Sequence, residues 1–393
     1  MSNETVEDLQ KKGRALILSV IAAIIIAIAS YFGLVTPQDN GTGTDYSASI
    51  SQGYSASKDF WQVYFTAPLA DSSDASKYYG GVDEALIAAI NDVEKTLDIA
   101  AFEWHNPRLS EAVVAAHERG VTVRMVVDDE HTVESNEEAV DLDEEAPFQD
   151  IIDAEIPWRD DDRSGLMHNK FMIMDGATIW MGSMNYTHNG TYRNNNNMFV
   201  IHSQRAVAAY QAEFNEMFVD GEFGQSRSNQ DGVSFAQDGI EVQVMFSPED
   251  DPADVLLETI NGAKSSIRFM TFSFTLDQIG AAVLDRANDG VNVRGIFEVR
   301  GSQTEYSELP LLFCAGLPIF QDGNSRTFHH KVFIIDEEIV VTGSFNISSN
   351  ATSSNDENMV IVHDADLAAQ YLAEYERMEK MASVPDSGDI TCP

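Results

Sequence analysis

Hydrophobic positions along the chain follow two alternating periodicities. Leu86, Ile87, Ile90 and Val93 recur at three-to-four spacing, which marks a helix with one apolar face. Val121-Thr122-Val123-Arg124-Met125-Val126-Val127 is a short β-branched run and predicts a strand. The whole order then occurs again. Leu97-Asp98-Ile99-Ala100-Ala101-Phe102 is answered by Ile267-Arg268-Phe269-Met270-Thr271-Phe272, and Gly120-Val121-Thr122-Val123-Arg124 by Gly290-Val291-Asn292-Val293-Arg294, both at an offset of 170. Each half reads helix, strand, helix, strand, a variable loop, then two strands and a helix. This alternation predicts an α/β fold of two similar lobes, each a mixed sheet flanked by helices. Trp61-Gln62-Val63-Tyr64-Phe65-Thr66 is the expected first strand. The closing helix is expected from Asp366 to Met381, capped by Asp364 or Asp366.

Outside the repeat the pattern changes. Residues 1–14 are polar and end in Lys11-Lys12-Gly13-Arg14. From Ala15 to Val35 there are 21 residues without a charge, long enough to cross a bilayer as a helix. The basic cluster before the run places the N-terminus in the cytoplasm and the rest outside it. A cleavable signal is the alternative, with Ala27-Ile28-Ala29 as a small-residue cleavage site. Residues 36–58 are rich in Gly, Ser, Thr, Asp and Asn and read as a flexible tether. The expected layout is therefore a cytoplasmic segment 1–14, an anchor 15–35, a linker 36–58, a first lobe 59–225, a loop 226–239, a second lobe 240–385 and a tail 386–393. This describes a single-pass protein of the cell membrane with its folded part extracytoplasmic.

Composition sharpens the picture in two places. With 64 acidic against 24 basic residues the formal charge is −40. Such a surface repels itself, and concentrated salt relieves the repulsion. The composition reads as salt-adapted, or simply as that of an acidic exported protein. It speaks against a general nucleic-acid binder, although a narrow basic cleft fits within an acidic surface. The two cysteines, Cys314 and Cys392, are not expected to pair: Cys314 sits in an apolar run and reads as a small core residue. The variable loop of the first half, 128–162, is strongly acidic. It lacks the alternating ligands and central Gly of a calcium loop and reads as a solvated insertion.

The candidate chemistry lies in a second repeat, at an offset of 161. His168-Asn169-Lys170 leads to Asp175 and then to Gly182-Ser183-Met184-Asn185. His329-His330-Lys331 leads to Asp336 and then to Gly343-Ser344-Phe345-Asn346. In a strand, residues two apart share a face, so His168 goes with Lys170, His329 with Lys331, Ser183 with Asn185 and Ser344 with Asn346. Asn169 and His330 then point the other way. Two imidazoles, two ammoniums, two hydroxyls and two amides around one pocket suit a phosphodiester: the cations stabilise charge on the phosphorus oxygens, and the imidazoles serve as nucleophile and acid. Asp175 and Asp336 are expected to orient their neighbours, Asp175-Gly176 also fitting a hairpin turn.

This doubled H-x-K-x4-D and G-S-x-N pattern resembles the phospholipase D superfamily, over nearly everything from Trp61 to Met381. The resemblance implies a pseudo-twofold pair of lobes with the active site at their interface, catalysis through a covalent phosphohistidine, no cofactor and no metal. The catalytic set it implies is His168, Lys170, Asp175, His329, Lys331 and Asp336, supported by Ser183, Asn185, Ser344 and Asn346. It also implies an acidic residue downstream that holds the imidazole. Glu357 stands 28 residues after His329, and the same offset from His168 lands on Asn196. Each histidine is thus expected to be held within its own half: His168 by an amide, as neutral nucleophile, and His329 by a carboxylate, as protonated acid. Tyrosyl-DNA phosphodiesterases look similar in pairing one histidine with an amide and the other with an acid. The substrate is a phospholipid or nucleic-acid phosphodiester. A membrane-anchored lipid hydrolase is the first reading; an exported nuclease, a phosphatidyl transferase of the cardiolipin synthase kind and a silent polyanion-binding protein are the others. Both motifs lie in one chain, so a monomer is expected.

Overall fold

Strand-forming runs rich in Val, Ile, Phe and Met assemble into two eight-stranded mixed sheets in the computed structural model, which describes residues 43–70, 75–142, 144–224 and 232–393. The proposed anchor 15–35 lies outside these residues. Among the described residues no helix is long and apolar enough to cross a membrane. Residues 41–393 form one unit.

In spatial order the first sheet runs Gly53–Lys58, Trp61–Thr66, Asn197–Ile201, Thr178–Gly182, Lys170–Met174, Thr96–Ala101, Thr122–Val127 and Trp158–Asp160. The second repeats it as Val233–Gln237, Ile240–Ser247, Glu357–His363, Ile339–Gly343, Lys331–Ile335, Ser266–Thr271, Asn292–Phe297 and Ile319–Gln321. In each, only the last three strands are mutually parallel. The parallel crossovers Pro107–Glu118 and Asp277–Asn288 are helical, as a return to the same sheet end requires.

The period-2 alternation of each central strand faces two different cores. Phe171 and Ile173 join Val332 and Ile334 in a core shared by both lobes, with Tyr210 and Phe214 of helix Gln204–Asn215 and Tyr371 and Tyr375 of helix Ala365–Glu379. Met172 and Met174 face the opposite way, into a core with helices Val82–Asp92 and Pro107–Glu118; Phe333 and Ile335 do the same against Pro252–Asn261 and Asp277–Asn288. The lobes thus share a hydrophobic interior and hold a fixed relation to each other. Asp364 caps the closing helix, accepting from the Asp366 and Leu367 amides.

Several expectations need correcting. The second half of the supposed tether is folded: Gly53–Lys58 is an edge strand, and Asp45 accepts from Ser57 Oγ at 2.7 Å. The inter-lobe loop contains the edge strand Val233–Gln237. A further strand precedes each long helix, Asn197–Ile201 and Glu357–His363. The acidic insertion carries helices Ser135–Asp141 and Pro147–Asp153, and the latter buries Phe148 and Ile151. Cys314 and Cys392 form a disulfide, with their Cα atoms 5.7 Å apart. Cys314 ends helix Glu308–Cys314 and is only half-buried, and the tail returns to it by packing Ile390 into the second-lobe core.

Candidate active site

Each histidine sits just before a central strand, where its backbone hydrogen-bonds to the other lobe. His168 N donates to the Asp356 carbonyl (3.0 Å), and His329 N donates to the Asn195 carbonyl (2.9 Å). The reciprocal bonds, Asp356 N to Leu166 O and Asn195 N to Thr327 O, complete two short bridges around the pseudo-twofold axis. Arg163 reinforces one by pairing with Asp356 and donating to the Ser354 carbonyl at 2.7 Å. Asn324 reinforces the other, donating to Asn195 Oδ1 at 2.7 Å and the Arg193 carbonyl at 2.9 Å.

This crossing overturns the expected partners. His168 Nδ1 lies 2.7 Å from Glu357 Oε2, and His329 Nδ1 lies 2.9 Å from Asn196 Oδ1. Each imidazole is held by the other lobe, His168 by the carboxylate and His329 by the amide. The tautomers are assigned from the supporting bonds. Asn196 Nδ2 donates to the Gly190 carbonyl at 2.8 Å, so its Oδ1 is the acceptor facing His329. Ser183 Oγ donates to that oxygen and Ser344 Oγ donates to Glu357 Oε2. Both histidines therefore carry the proton on Nδ1 and turn Nε2 toward the cleft.

The ammoniums lie beneath. Lys170 Nζ donates to the His168 carbonyl at 2.6 Å and Lys331 Nζ to the His329 carbonyl at 3.1 Å. Each lies over a phenyl ring, Phe102 or Phe272, whose edge also meets the histidine of that lobe. Burial pulls Lys170 down to about 8, against the pull of Glu357, Glu103 and Asp128. Burial, and then Lys170, hold Lys331 well below its ordinary value. Burial also pushes Glu357 up to about 7, and keeps both imidazoles well below their ordinary value with the two lysines adding to the effect. Glu357 is the one carboxylate that acts on both lysines, and a bound phosphodiester would add negative charge beside them.

Asn169 and His330 point into the shared core, as the strand period requires. Asn169 Nδ2 donates to Glu213 Oε1, and His330 Nε2 lies 3.3 Å from Glu374 Oε1. Ser183 and Ser344 are fully buried; they position Asn196 and Glu357 instead of reaching the cleft. Asn185 and Asn346 do line it. Asp175 and Asp336 do not line the cleft. Each sits in the turn after its five-residue strand, about 16 Å along from the lysine. Asp175 accepts from the amides of Glu94, Lys95 and Thr96, and Asp336 from those of Lys264, Ser265 and Ser266.

Several contributors escaped the motif reading. Asp128 and Glu298 directly follow equivalent strands and accept from the amides of Met167 and Phe328, the residues before each histidine. Phe102 and Phe272 were visible as the repeated last residue of matched runs. Glu103 accepts from Asn185 Nδ2 at 2.7 Å. Asp128, Asp129 and Asp161 bring carboxylate oxygens within 4.8 Å of one another, the grouping among the described residues with metal-ligating potential. Asp128 and Asp161 also serve the scaffold by accepting from backbone amides. Asp161 accepts from the Asp129 amide and pairs with Arg163. Its counterpart Asp322 accepts likewise from the Val299 amide. The histidines open into a cleft of about 760 Å³ between the lobes.

A family model described as cardiolipin synthase, PLD-like domain, matches residues 86–218 and again 256–379, more than half of the chain. The chain belongs to the phospholipase D superfamily. Among its phospholipase D relatives, a mitochondrial cardiolipin hydrolase of Mus musculus is 33% identical over 123 residues, 31% of this chain and 56% of the relative. A phospholipase D of Rickettsia bellii is 31% identical over 134 residues, 34% of this chain and 67% of the relative. The chain spans about half the length of the first curated relatives it matches. The crystal structure of phosphatidylserine synthase from Haemophilus influenzae shares the fold, with a TM-score of 0.57 at 13% identity, over 76% of this chain and 84% of that one. Two phospholipase D-like halves in one chain account for the doubled sheet and the composite cleft.

Proposed function

We propose that this chain is a phosphodiesterase of the phospholipase D type. It hydrolyses a phospholipid head-group ester and is held at the membrane by the apolar run 15–35, with its folded part extracytoplasmic. The observation that carries the reading is the convergence of one Nε2 from each lobe on a single cleft above two buried ammoniums. Relatives named for phospholipase D and cardiolipin hydrolysis support a lipid substrate. The disulfide suits an oxidising compartment and so supports export.

His168 is the nucleophile. Its Nε2 attacks phosphorus, a P–N bond forms, the P–O bond to the leaving alcohol breaks, and the electron pair goes to that oxygen. His329, protonated on Nε2 in the Michaelis complex, gives the oxygen its proton. Water then attacks the phosphohistidine and loses a proton to His329, and the P–N electron pair returns to His168. This assignment keeps His168 as nucleophile for a different reason than the sequence suggested. Phosphorylation turns its ring into an imidazolium-like cation, which Glu357 at Nδ1 stabilises as it forms, as the aspartate of a Ser-His-Asp triad does. Asn196 holds the His329 ring without adding charge, leaving it the stronger acid. Lys170 and Lys331 meet the charge that grows on the phosphorus oxygens.

The test offers purified protein, in about 1 M salt, phosphatidyl-lipid vesicles and plasmid DNA side by side. Head-group release is expected, and it disappears in His168→Asn and in His329→Asn. DNA cleavage with intact lipid would overturn the substrate; near-wild-type turnover in either variant would overturn the mechanism.

A further inference from the structure

Around the two histidines the scaffold repeats position for position, but the walls of the cleft do not. The second-lobe wall carries Arg300 and Arg326, where the first lobe has Glu130 and Gly165. The first-lobe wall carries Glu103, where the second has Ser273. Arg300 is oriented by Glu298 Oε1 (2.9 Å) and Thr327 Oγ1 (2.5 Å), yet its side chain remains 63% exposed. Arg326 is exposed, and no carboxylate lies within ion-pair distance of it among the described residues. In a chain of charge −40, two guanidiniums thus stand on one lip of the cleft, Arg300 paired with the buried Glu298 and Arg326 with no carboxylate beside it among the described residues.

We propose that Arg300 and Arg326 form a subsite for a second phosphate carried by the leaving alcohol, while Glu103 repels a phosphate on the opposite side. This rests on the phospholipase D-type mechanism above. In-line displacement places the leaving oxygen opposite the attacking His168, on the His329 side, and both arginines stand on that lobe. Arg326 comes from the segment leading into His329 itself. A lipid whose single glycerol bridges two phosphodiesters has one neighbouring phosphate and fits this polarity. Cleavage transfers one phosphatidyl group to His168 and releases the other half as an alcohol whose phosphate stays on the arginines; water then frees phosphatidic acid. The interior of a polynucleotide has a phosphate on both sides of every ester, and one of them would meet Glu103. The geometry therefore favours the doubly charged lipid over nucleic acid.

The test uses the full chain and detergent mixed micelles of matched charge, containing diphosphatidylglycerol or phosphatidylglycerol. Wild type is expected to favour diphosphatidylglycerol by about tenfold in kcat/KM, the size of one charge-assisted contact. Arg326→Gln should collapse that ratio toward one through loss on the doubly charged lipid; Arg300→Gln should act in the same direction. Glu103→Gln should raise activity on a short oligonucleotide relative to lipid. A wild-type ratio near one, with both lipids hydrolysed, would sink the subsite and leave the phospholipase reading standing. An equal fall on both lipids in Arg326→Gln would also sink it, as a general electrostatic effect. Hydrolysis of neither lipid would sink both readings.

Discussion

Glu357 is the one buried carboxylate that faces the two ammoniums and a catalytic imidazole together. With the group pushed up to about 7 by burial, its charge is present above that pH and lost as pH falls through it. Lys170, pulled down to about 8, loses its charge as pH rises through that value. The kcat/KM profile should therefore be a narrow bell with limbs at about 7 and about 8. Glu357→Gln should remove the acid limb and lower kcat by up to about 10⁴, the scale seen when the aspartate of a Ser-His-Asp triad is amidated. Asn196→Ala should cost less, since no charge is lost. A Glu357→Gln profile that kept its acid limb would assign that limb to another group. The residues of this dyad were legible in the sequence, because the 28-residue offset from each histidine repeats. Their pairing was not. An offset along the chain is the same whichever imidazole receives the side chain, and only the backbone bridges between lobes show that the partners cross.

Asp175 and Asp336 belong to the scale of the element. A motif read as catalytic ends in a residue whose task is local: it takes a left-handed turn conformation, at φ 53° and 55°, and ties the turn to the start of the neighbouring strand. Burial works against the Asp336 charge, but the amides of Ser266, Ser265 and Lys264 outweigh it and hold the carboxyl below its ordinary value. Asp336→Ala should lower stability by about 1–2 kcal/mol with kcat unchanged; denaturant melts and lipid turnover measured on one preparation check both. A large fall in kcat at unchanged stability would return Asp336 to the catalytic set. The strands that periodicity missed have physical reasons. Gly53–Lys58 and Val233–Gln237 are edge strands with weak apolar alternation, and Asn197–Ile201 follows a run of asparagines that reads as a turn. The insertion helices are short, and their acidic residues hide the apolar face that buries Phe148 and Ile151.

At the scale of the whole molecule, duplication was the most legible feature, since repeated spacing predicts two like lobes and a shared site. The disulfide was not legible, because nothing in the chain announces that the tail returns to helix Glu308–Cys314. It closes a loop of 78 residues, so Cys392→Ser should cost about 2–4 kcal/mol of stability while sparing the cleft. A variant that melts like wild type would show that the tail packs without it. The central claim is a composite site in which His168, held across the lobe interface by Glu357, attacks phosphorus. The most direct measurement is to trap the intermediate in His329→Asn, using an activated phosphodiester whose leaving group needs no proton, and to map the modified peptide. The account predicts a slowly hydrolysing adduct on His168; an adduct on any other residue, or normal turnover with no adduct on His168, would contradict it.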